Sequence, residues 1–150
     1  MAENGWLEAI WIKRARSGPM DPAQHARLIT GQGMVGNANW GGRRQVTVIA
    51  QEAWEALREE LGPAVTPIVR RANLLVSGVD LRNTRGRVLE IGSVHILVHG
   101  EMRPCNLMEE TVPGLEAAME SDWRGGVYGA VAQGGTITVG DPAHLLPSES

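Results

Sequence analysis

The feature that most constrains the fold is a series of short apolar runs separated by turn-forming residues. Nineteen glycines and eight prolines are spread along the 150 residues, so they mark many turns and no single linker. Such a pattern is typical of all-β barrels and sandwiches. The sequence therefore predicts a mainly β fold. The predicted strands are Leu7–Lys13, Ala26–Gln32, Gln45–Ala50, Val65–Val69, Asn73–Val76, Arg87–Ile91, Val94–His99, Gly126–Ala132 and Thr136–Val139.

A few segments depart from the strand pattern. The stretch QEAWEALREELGP, residues 51–63, repeats apolar residues at three- and four-residue spacing, which predicts a helix ended by its Gly-Pro pair. A second, short helix is predicted for residues 113–121, where a proline occupies the first helical position. Asp21-Pro22 predicts a short helical turn, and Gly134-Gly135 predicts a two-residue hairpin between the last two strands.

Composition narrows the class of protein. A chain with 43% hydrophobic and 21% charged residues is typical of a globular domain. The net charge of −3 argues against a general nucleic-acid binder. The N-terminal residues do not follow the order of a secretory signal, and no apolar run approaches the ~20 residues that span a membrane. We therefore expect one cytoplasmic domain, residues 1–150, with a core at about residues 10–143 and a flexible C-terminal tail.

The single cysteine, Cys105, lies in the stretch EMRPCNLME. It follows a predicted strand, Val94–His99, and so lies on a loop that leaves a strand end, where functional sites are commonly built. Arg103 precedes it by two residues, and a nearby positive charge favours the reactive thiolate. The alternative is a buried and inert thiol, because free cysteines are among the most buried residues. The local sequence leaves both interpretations open.

The histidines do not predict a metal site made of protein ligands alone. His95 and His99 would lie about 13 Å apart on a strand at ~3.3 Å per residue, too far to share one ion. His25 and His144 are isolated in the sequence. Cys105 has no second cysteine at metal-site spacing.

Two arginine-rich segments are candidates for anion binding. The glycine-rich stretch at residues 31–42 precedes Arg43-Arg44, and a strand follows it where a dinucleotide fingerprint requires a helix. Such a loop can bring backbone amides and arginines together around an anion. On an alternating strand Arg71 and Asn73 would point the same way and could converge on a phosphate with an arginine of the first segment. The alternative for the first segment is a tight barrel connection with solvated arginines. The alternative for the second segment is surface arginines paired with carboxylates.

Taken in order, these segments resemble the MOSC domain, named for the C-terminal domain of molybdenum-cofactor sulfurase. GQGMVGN with GGRRQVTVI resembles the family's glycine turn and next strand, RRANLLVSGVDL its arginine–asparagine segment, RPCNLME its cysteine motif, and GGVYGAVAQGGTITVGD its closing hairpin. The resemblance extends from about Ile10 to Ala143. Two positions depart from the family pattern, namely Asn37, usually an aspartate, and Trp40, often a histidine.

The resemblance implies a distorted, closed β-barrel with a few short peripheral helices. It implies that Cys105 is the family's functional cysteine, either a ligand of molybdenum in a pterin cofactor or the carrier of a persulfide sulfur. By position, Arg43 or Arg44, Arg71 and Asn73 would hold the phosphate and pterin of the molybdenum cofactor. Arg103, the first residue of the cysteine motif, is also expected among the cofactor-binding residues.

Three functions are consistent with this sequence. The first is a molybdenum-cofactor-dependent oxidoreductase that reduces N-hydroxylated small molecules. Its electrons would come from a partner reductase, because the chain has no iron–sulfur cysteine set and no flavin or nicotinamide fingerprint. The second is a sulfur carrier that receives a persulfide on Cys105 from a sulfur-donor protein. The third is a non-catalytic module whose arginine loop binds an anion or a partner. None of the three requires nucleic acid or a membrane.

Overall fold

The computed structural model describes residues 5–15, 20–61, 72–102 and 126–147. In this part of the chain the fold is mainly β, with one short helix, as predicted. The described helix is too short to cross a membrane. The elements are β1 Gly5–Lys13, β2 Met20–Ala23, β3 His25–Ile29, β4 Gly33–Met34, β5 Val46–Ala50, α1 Gln51–Leu61, β6 Leu74–Ser77, β7 Val88–Ile91, β8 Val94–Glu101, β9 Val127–Gln133, β10 Gly135–Thr138 and β11 Pro142–Leu145.

Seven of the described strands close into a barrel in the order β1-β11-β7-β8-β9-β5-β6, with β6 returning to β1. The barrel pairs are antiparallel except β5–β6, which is parallel. A parallel pair needs a crossover connection, and α1 lies in the stretch of chain that joins these two strands. β2 continues the sheet beside β1, while β10, β3 and β4 form a second sheet. Closure of the barrel is what the family resemblance implied.

The barrel interior is filled by alternate residues of each strand. Along β8, Val94, Ile96 and Val98 are buried in the core, whereas the residues between them are partly exposed on the outer face. On the outside, α1 packs against β5 and β6 with Trp54 and Leu57 buried. The outer face of β8 and β9 is therefore a surface on which the partly exposed side chains between the core residues can form a site.

Two local predictions are wrong. Asp21-Pro22 does not begin a helical turn, because Met20–Ala23 is β2 and pairs with β1. Proline is tolerated there since β2 is the last strand in the order of its sheet. Gly134-Gly135 does not form a hairpin, because β10 leaves β9 and pairs with β3. The glycines are required for another reason: a Cβ at Gly134 would overlap the carbonyl oxygen of Leu28.

Other differences concern strand ends. β11, which joins β7 to β1 and completes the barrel, is absent from the predicted strands because its apolar signal consists only of Ala143 and Leu145. β8 continues through Gly100 to Glu101, although that glycine was expected to end it. The predicted strand at residues 65–69 and the predicted helix at residues 113–121 lie outside the described residues.

Gly129 gives a test of the barrel packing. It lies on β9 between β5 and β8, and a Cβ there would overlap the carbonyl group of Leu97. We expect Gly129→Ala to lower the free energy of unfolding by about 1–3 kcal/mol, as overpacking does. Urea denaturation measures this, with exposed Ala132→Val on the same strand as a control expected to change stability by less than about 0.5 kcal/mol. Equal stability of Gly129→Ala and wild type would contradict the close approach of β8 and β9.

Candidate functional site

A buried amide network joins three strands at the start of β6. Asn73 is 4% exposed, and its Oδ1 accepts the backbone N–H of Thr47 at 3.1 Å and the Thr47 hydroxyl at 3.2 Å. Its Nδ2 donates to the Trp11 carbonyl at 3.1 Å and to Asn37 Oδ1 at 3.0 Å. Both amide hydrogens of Asn73 are therefore used inside the protein. Direct donation from this amide to a ligand, as the sequence predicts, would require one of these bonds to break.

Asn37 brings the glycine-rich loop into the same network. Its Oδ1 accepts the backbone N–H of Lys13 at 2.9 Å as well as Asn73 Nδ2. Because these two donors fix which end of the amide is the oxygen, Nδ2 is assigned to the other side. That Nδ2 is buried and has no acceptor within the described part of the chain. An aspartate at this position would put an acceptor there, so the Asn37 departure changes the site from an acceptor to a donor.

Gln45 holds the glycine-rich loop against the barrel. It is 3% exposed, its Nε2 donates to the carbonyls of Gly31 at 3.1 Å and Gly42 at 2.8 Å, and its Oε1 accepts the N–H of Val131 at 2.9 Å. Both ends of the loop are thus fixed to β9. Gln45 is not among the residues that the sequence predicts for the site. The only signal was a polar residue between the arginine pair and an apolar strand, which is not specific.

The arginine pair follows this fixed loop. Arg43 and Arg44 are exposed, and the Arg44 Cζ lies 5.0 Å from the ring centroid of Tyr128, a cation–π contact. Tyr128 is the cross-strand neighbour of Thr47, so the Arg44 guanidinium lies beside the Asn73 network. Among the described residues, neither arginine is ion-paired with a carboxylate. Exposed guanidiniums without a carboxylate partner are expected both of an anion site and of a tight barrel connection with solvated arginines.

His99 completes this surface from β8. Its ring centroid lies 6.5 Å from that of Tyr128, with the ring planes tilted by 45°. Desolvation by burial, and to a lesser extent the charge of Arg43, lower the pKa of His99 below its ordinary value. The imidazole is therefore mainly neutral at neutral pH. His99 and Tyr128 were not among the predicted site residues, because only the pairing of β8 with β9 brings them together.

The other histidines form a separate cluster. Glu90 on β7 lies between His95 and His144, with its two oxygens 2.7 Å and 2.9 Å from their Nε2 atoms. The sequence suggested that His144 is isolated. In the structure it is not, because strand pairing places it directly beside Glu90. His95 and His99 have different partners, Glu90 and Tyr128. Within the described ranges no group of three or more His, Cys, Asp or Glu side chains is arranged to hold a metal ion.

The predicted site residues are only partly within the described structure. Arg43, Arg44 and Asn73 are described, and Arg44 and Asn73 are linked through the Tyr128–Thr47 pair. Cys105, Arg71 and Arg103 lie outside the described residues. Met102 and Gly126 flank residues 103–125. The two are neighbours in space, since the Met102 N–H donates to the Gly126 carbonyl at 2.8 Å.

Comparison with known proteins identifies the family. The MOSC domain model matches residues 31–144, and the chain belongs to the MOSC domain family. Among solved structures, the YUAD protein from Bacillus subtilis is 20% identical, with 97% of each chain covered and a TM-score of 0.82. YiiM from Geobacillus stearothermophilus is 18% identical over 95% of this chain and 75% of its own, with a TM-score of 0.74. YiiM from Escherichia coli is 16% identical over 97% and 71%, with a TM-score of 0.72.

At these identities the structural neighbours show the fold alone. No curated protein matches the chain. The family membership associates the domain with the molybdenum cofactor, which is the coarse functional class.

Proposed function

We propose that this protein binds the molybdenum cofactor and uses it to reduce N-hydroxylated small molecules, with electrons from a separate reductase. The association of MOSC domains with this cofactor supports the class. The observation that carries the proposal is the pair of exposed guanidiniums, Arg43 and Arg44, which follow a loop fixed by Gln45. No carboxylate in the described structure neutralises them. Such a pair suits a phosphate group.

The described residues fit the phosphate-bearing end of the cofactor. A guanidinium offers a planar fork of donors that matches phosphate oxygens bidentately. The unmatched Nδ2 of Asn37 is a further buried donor on the loop that leads to the arginines. Arg71 and Arg103 remain predicted contributors. Cys105 remains the predicted metal ligand, because a soft thiolate suits a molybdenum centre.

The cofactor, when bound, would supply the metal through which electrons reach the substrate. Reduction of an N-hydroxyl group to an amine breaks the N–O bond, consumes two electrons and two protons, and releases water. The arginines would bind and orient the phosphate. Asn73 would fix the strand ends near the arginines, and Gln45 would fix the glycine-rich loop that precedes them. The electrons would come from the partner reductase, since the sequence holds no iron–sulfur, flavin or nicotinamide motif of its own.

The test is a double variant, Arg43→Gln with Arg44→Gln. Hydrogen bonds to charged groups contribute about 1.5–3 kcal/mol each, so we expect at least a tenfold fall in cofactor affinity. Pterin content, measured as the fluorescent oxidised derivative, should fall accordingly in protein from a cofactor-producing host. The matched control is Arg14→Gln with Arg82→Gln, two exposed arginines in surface ion pairs with Asp21 and Asp80. Equal pterin content in the two double variants would contradict the assignment.

A sulfur carrier is the second candidate, favoured by one observation. Cys105 is the only cysteine of the chain, so a persulfide on it would have no internal thiol with which to resolve into a disulfide. Mass spectrometry of the purified protein distinguishes the two functions. A species heavier by about 32 Da that dithiothreitol removes, in protein free of molybdenum, would favour sulfur transfer over reduction, because the added atom is one sulfur on a nucleophilic thiolate.

A further inference from the structure

His99 is a titratable side chain on the candidate site that the proposed function does not yet use. We propose that His99 is the third cationic member of the anion site formed by Arg43 and Arg44, and that it takes up a proton when an anion binds there. The inference deepens the proposed function. It rests on that function only in taking the natural ligand to be the phosphate of a cofactor. The arrangement of the side chains around Tyr128 applies to any multivalent oxyanion.

The geometry centres on the ring of Tyr128. The Arg44 Cζ lies 5.0 Å from its centroid, and the His99 ring lies 6.5 Å from it, so one aromatic side chain contacts both. The residue after His99 is a glycine, Gly100, and a Cβ there would come within 3.2 Å of the Tyr128 hydroxyl. The absence of a side chain at Gly100 is thus what lets Tyr128 lie this close to β8. Arg43 is close enough to His99 for its charge to oppose protonation of the imidazole.

The charges around His99 determine the sign of the effect. Without an anion, burial and the positive charge of Arg43 both favour the neutral imidazole and lower its pKa. An anion bound by the arginines would offset the charge of Arg43 and attract the imidazolium directly. Both changes raise the pKa of His99, so the site takes up protons as the anion binds. By linkage, anion affinity should rise as the pH falls through the range in which His99 titrates.

In the described structure, no other charged group near His99 has the effect on its pKa that Arg43 has. Glu101 lies two residues further along β8 on the same side of the strand. It is not among the causes of the His99 shift. On the neighbouring β7, Glu90 is engaged by two other histidines, and the preceding Arg87 donates to the Leu146 carbonyl at 2.9 Å. From β9 it is the ring of Tyr128 that contacts His99. Among the charged side chains of the described structure, Arg43 is therefore the one whose charge lowers the pKa of His99.

The consequence for function is a proton delivered together with the ligand. An imidazolium beside the bound phosphate would add a third positive charge to the site and so raise its affinity for that group. The inference also defines the class of ligand for this surface. A multivalent oxyanion, phosphate or sulfate in type, is expected to bind more tightly at pH 6 than at pH 8, whereas a neutral ligand would show no such dependence.

NMR titration of the histidine imidazoles tests the proposal. The His99 signal is assigned by its loss in His99→Gln, and its pKa is measured in excess sulfate and in chloride at equal ionic strength. Sulfate is the probe because it does not titrate between pH 5 and 8. An opposite charge within ~4–6 Å moves the pKa of a group shielded from solvent by ~1–3 units. His99 is partly exposed, so we expect sulfate to raise its pKa by a smaller amount, about 0.5–1 unit. Exposed His25 on β3 is the internal control.

Substitution of the neighbouring arginine sharpens the test. In Arg43→Gln the pKa of His99 should rise in chloride, and the further shift caused by sulfate should shrink, whereas Arg82→Gln should change neither. A sulfate shift of His99 no larger than that of His25, or a shift unaffected by Arg43→Gln, would overturn the inference. Protein that shows the sulfate-linked shift but never carries molybdenum would keep this inference and lose the proposed function. Protein that carries molybdenum but shows no sulfate-linked shift would keep the proposed function and overturn this inference.

Discussion

Asn73→Leu is expected to lower the free energy of unfolding by about 3–5 kcal/mol, because it removes four hydrogen bonds of a buried side chain at ~1 kcal/mol or more each. The buried Thr47 N–H would lose the Asn73 Oδ1, and the Trp11 carbonyl and Asn37 Oδ1 would lose the Asn73 Nδ2. Leucine has a similar volume, so the loss would reflect hydrogen bonds more than packing. The network joins β1, β5 and β6 to the glycine-rich loop, and the effect should extend to all of them.

Chemical denaturation followed by tryptophan fluorescence would measure this loss. The same substitution at the partly exposed Asn39, whose side chain makes no hydrogen bond within the described structure, should cost less than about 0.5 kcal/mol. Thr47→Val removes only the hydroxyl and should cost about 1 kcal/mol. Asn73→Leu no more destabilising than Asn39→Leu would show that the network does not hold these strands.

Cys105→Ala is expected to have the opposite pattern, with complete loss of bound molybdenum and little change in stability. The described barrel core and the amide network are formed by other residues, so we expect the free energy of unfolding to stay within about 0.5 kcal/mol of wild type. The metal should be lost because nitrogen and oxygen donors are poor substitutes for a soft thiolate. Cys105→Ser separates size from softness: serine is similar in size but offers a hard oxygen, and it should lose the metal as alanine does.

The fold was largely predictable because its main signal is local. The β-branched residues Val94, Ile96 and Val98 at every second position predict β8, and the helical spacing in residues 51–63 predicts α1. The errors arise where long-range pairing decides the structure. Gly134-Gly135 has the sequence of a hairpin, yet β10 pairs with β3, more than a hundred residues earlier in the chain. β11 has too weak an apolar pattern to be predicted, and it is a strand because β1 and β7 both pair with it.

The candidate site was predictable in part for the same reason. The arginine pair could be proposed from its position after a glycine-rich loop. The contacts that position this pair could not be predicted, because they join residues that are far apart in the sequence. Gln45 accepts a hydrogen bond from Val131, and Asn37 accepts one from Asn73. Tyr128 has no local feature that distinguishes it from an ordinary strand residue. The importance of Tyr128 follows from strand pairing. Because β9 lies between β5 and β8, the Tyr128 ring is close to both Arg44 and His99.

We propose that this MOSC domain holds a molybdenum cofactor through Cys105. The first measurement to make is the molybdenum and pterin content of wild type and Cys105→Ala, each purified from the same cofactor-producing host. We expect molybdenum and oxidised-pterin fluorescence in wild type, and molybdenum at background in the variant. Absence of both from wild type, or equal molybdenum in the two proteins, would contradict the proposal.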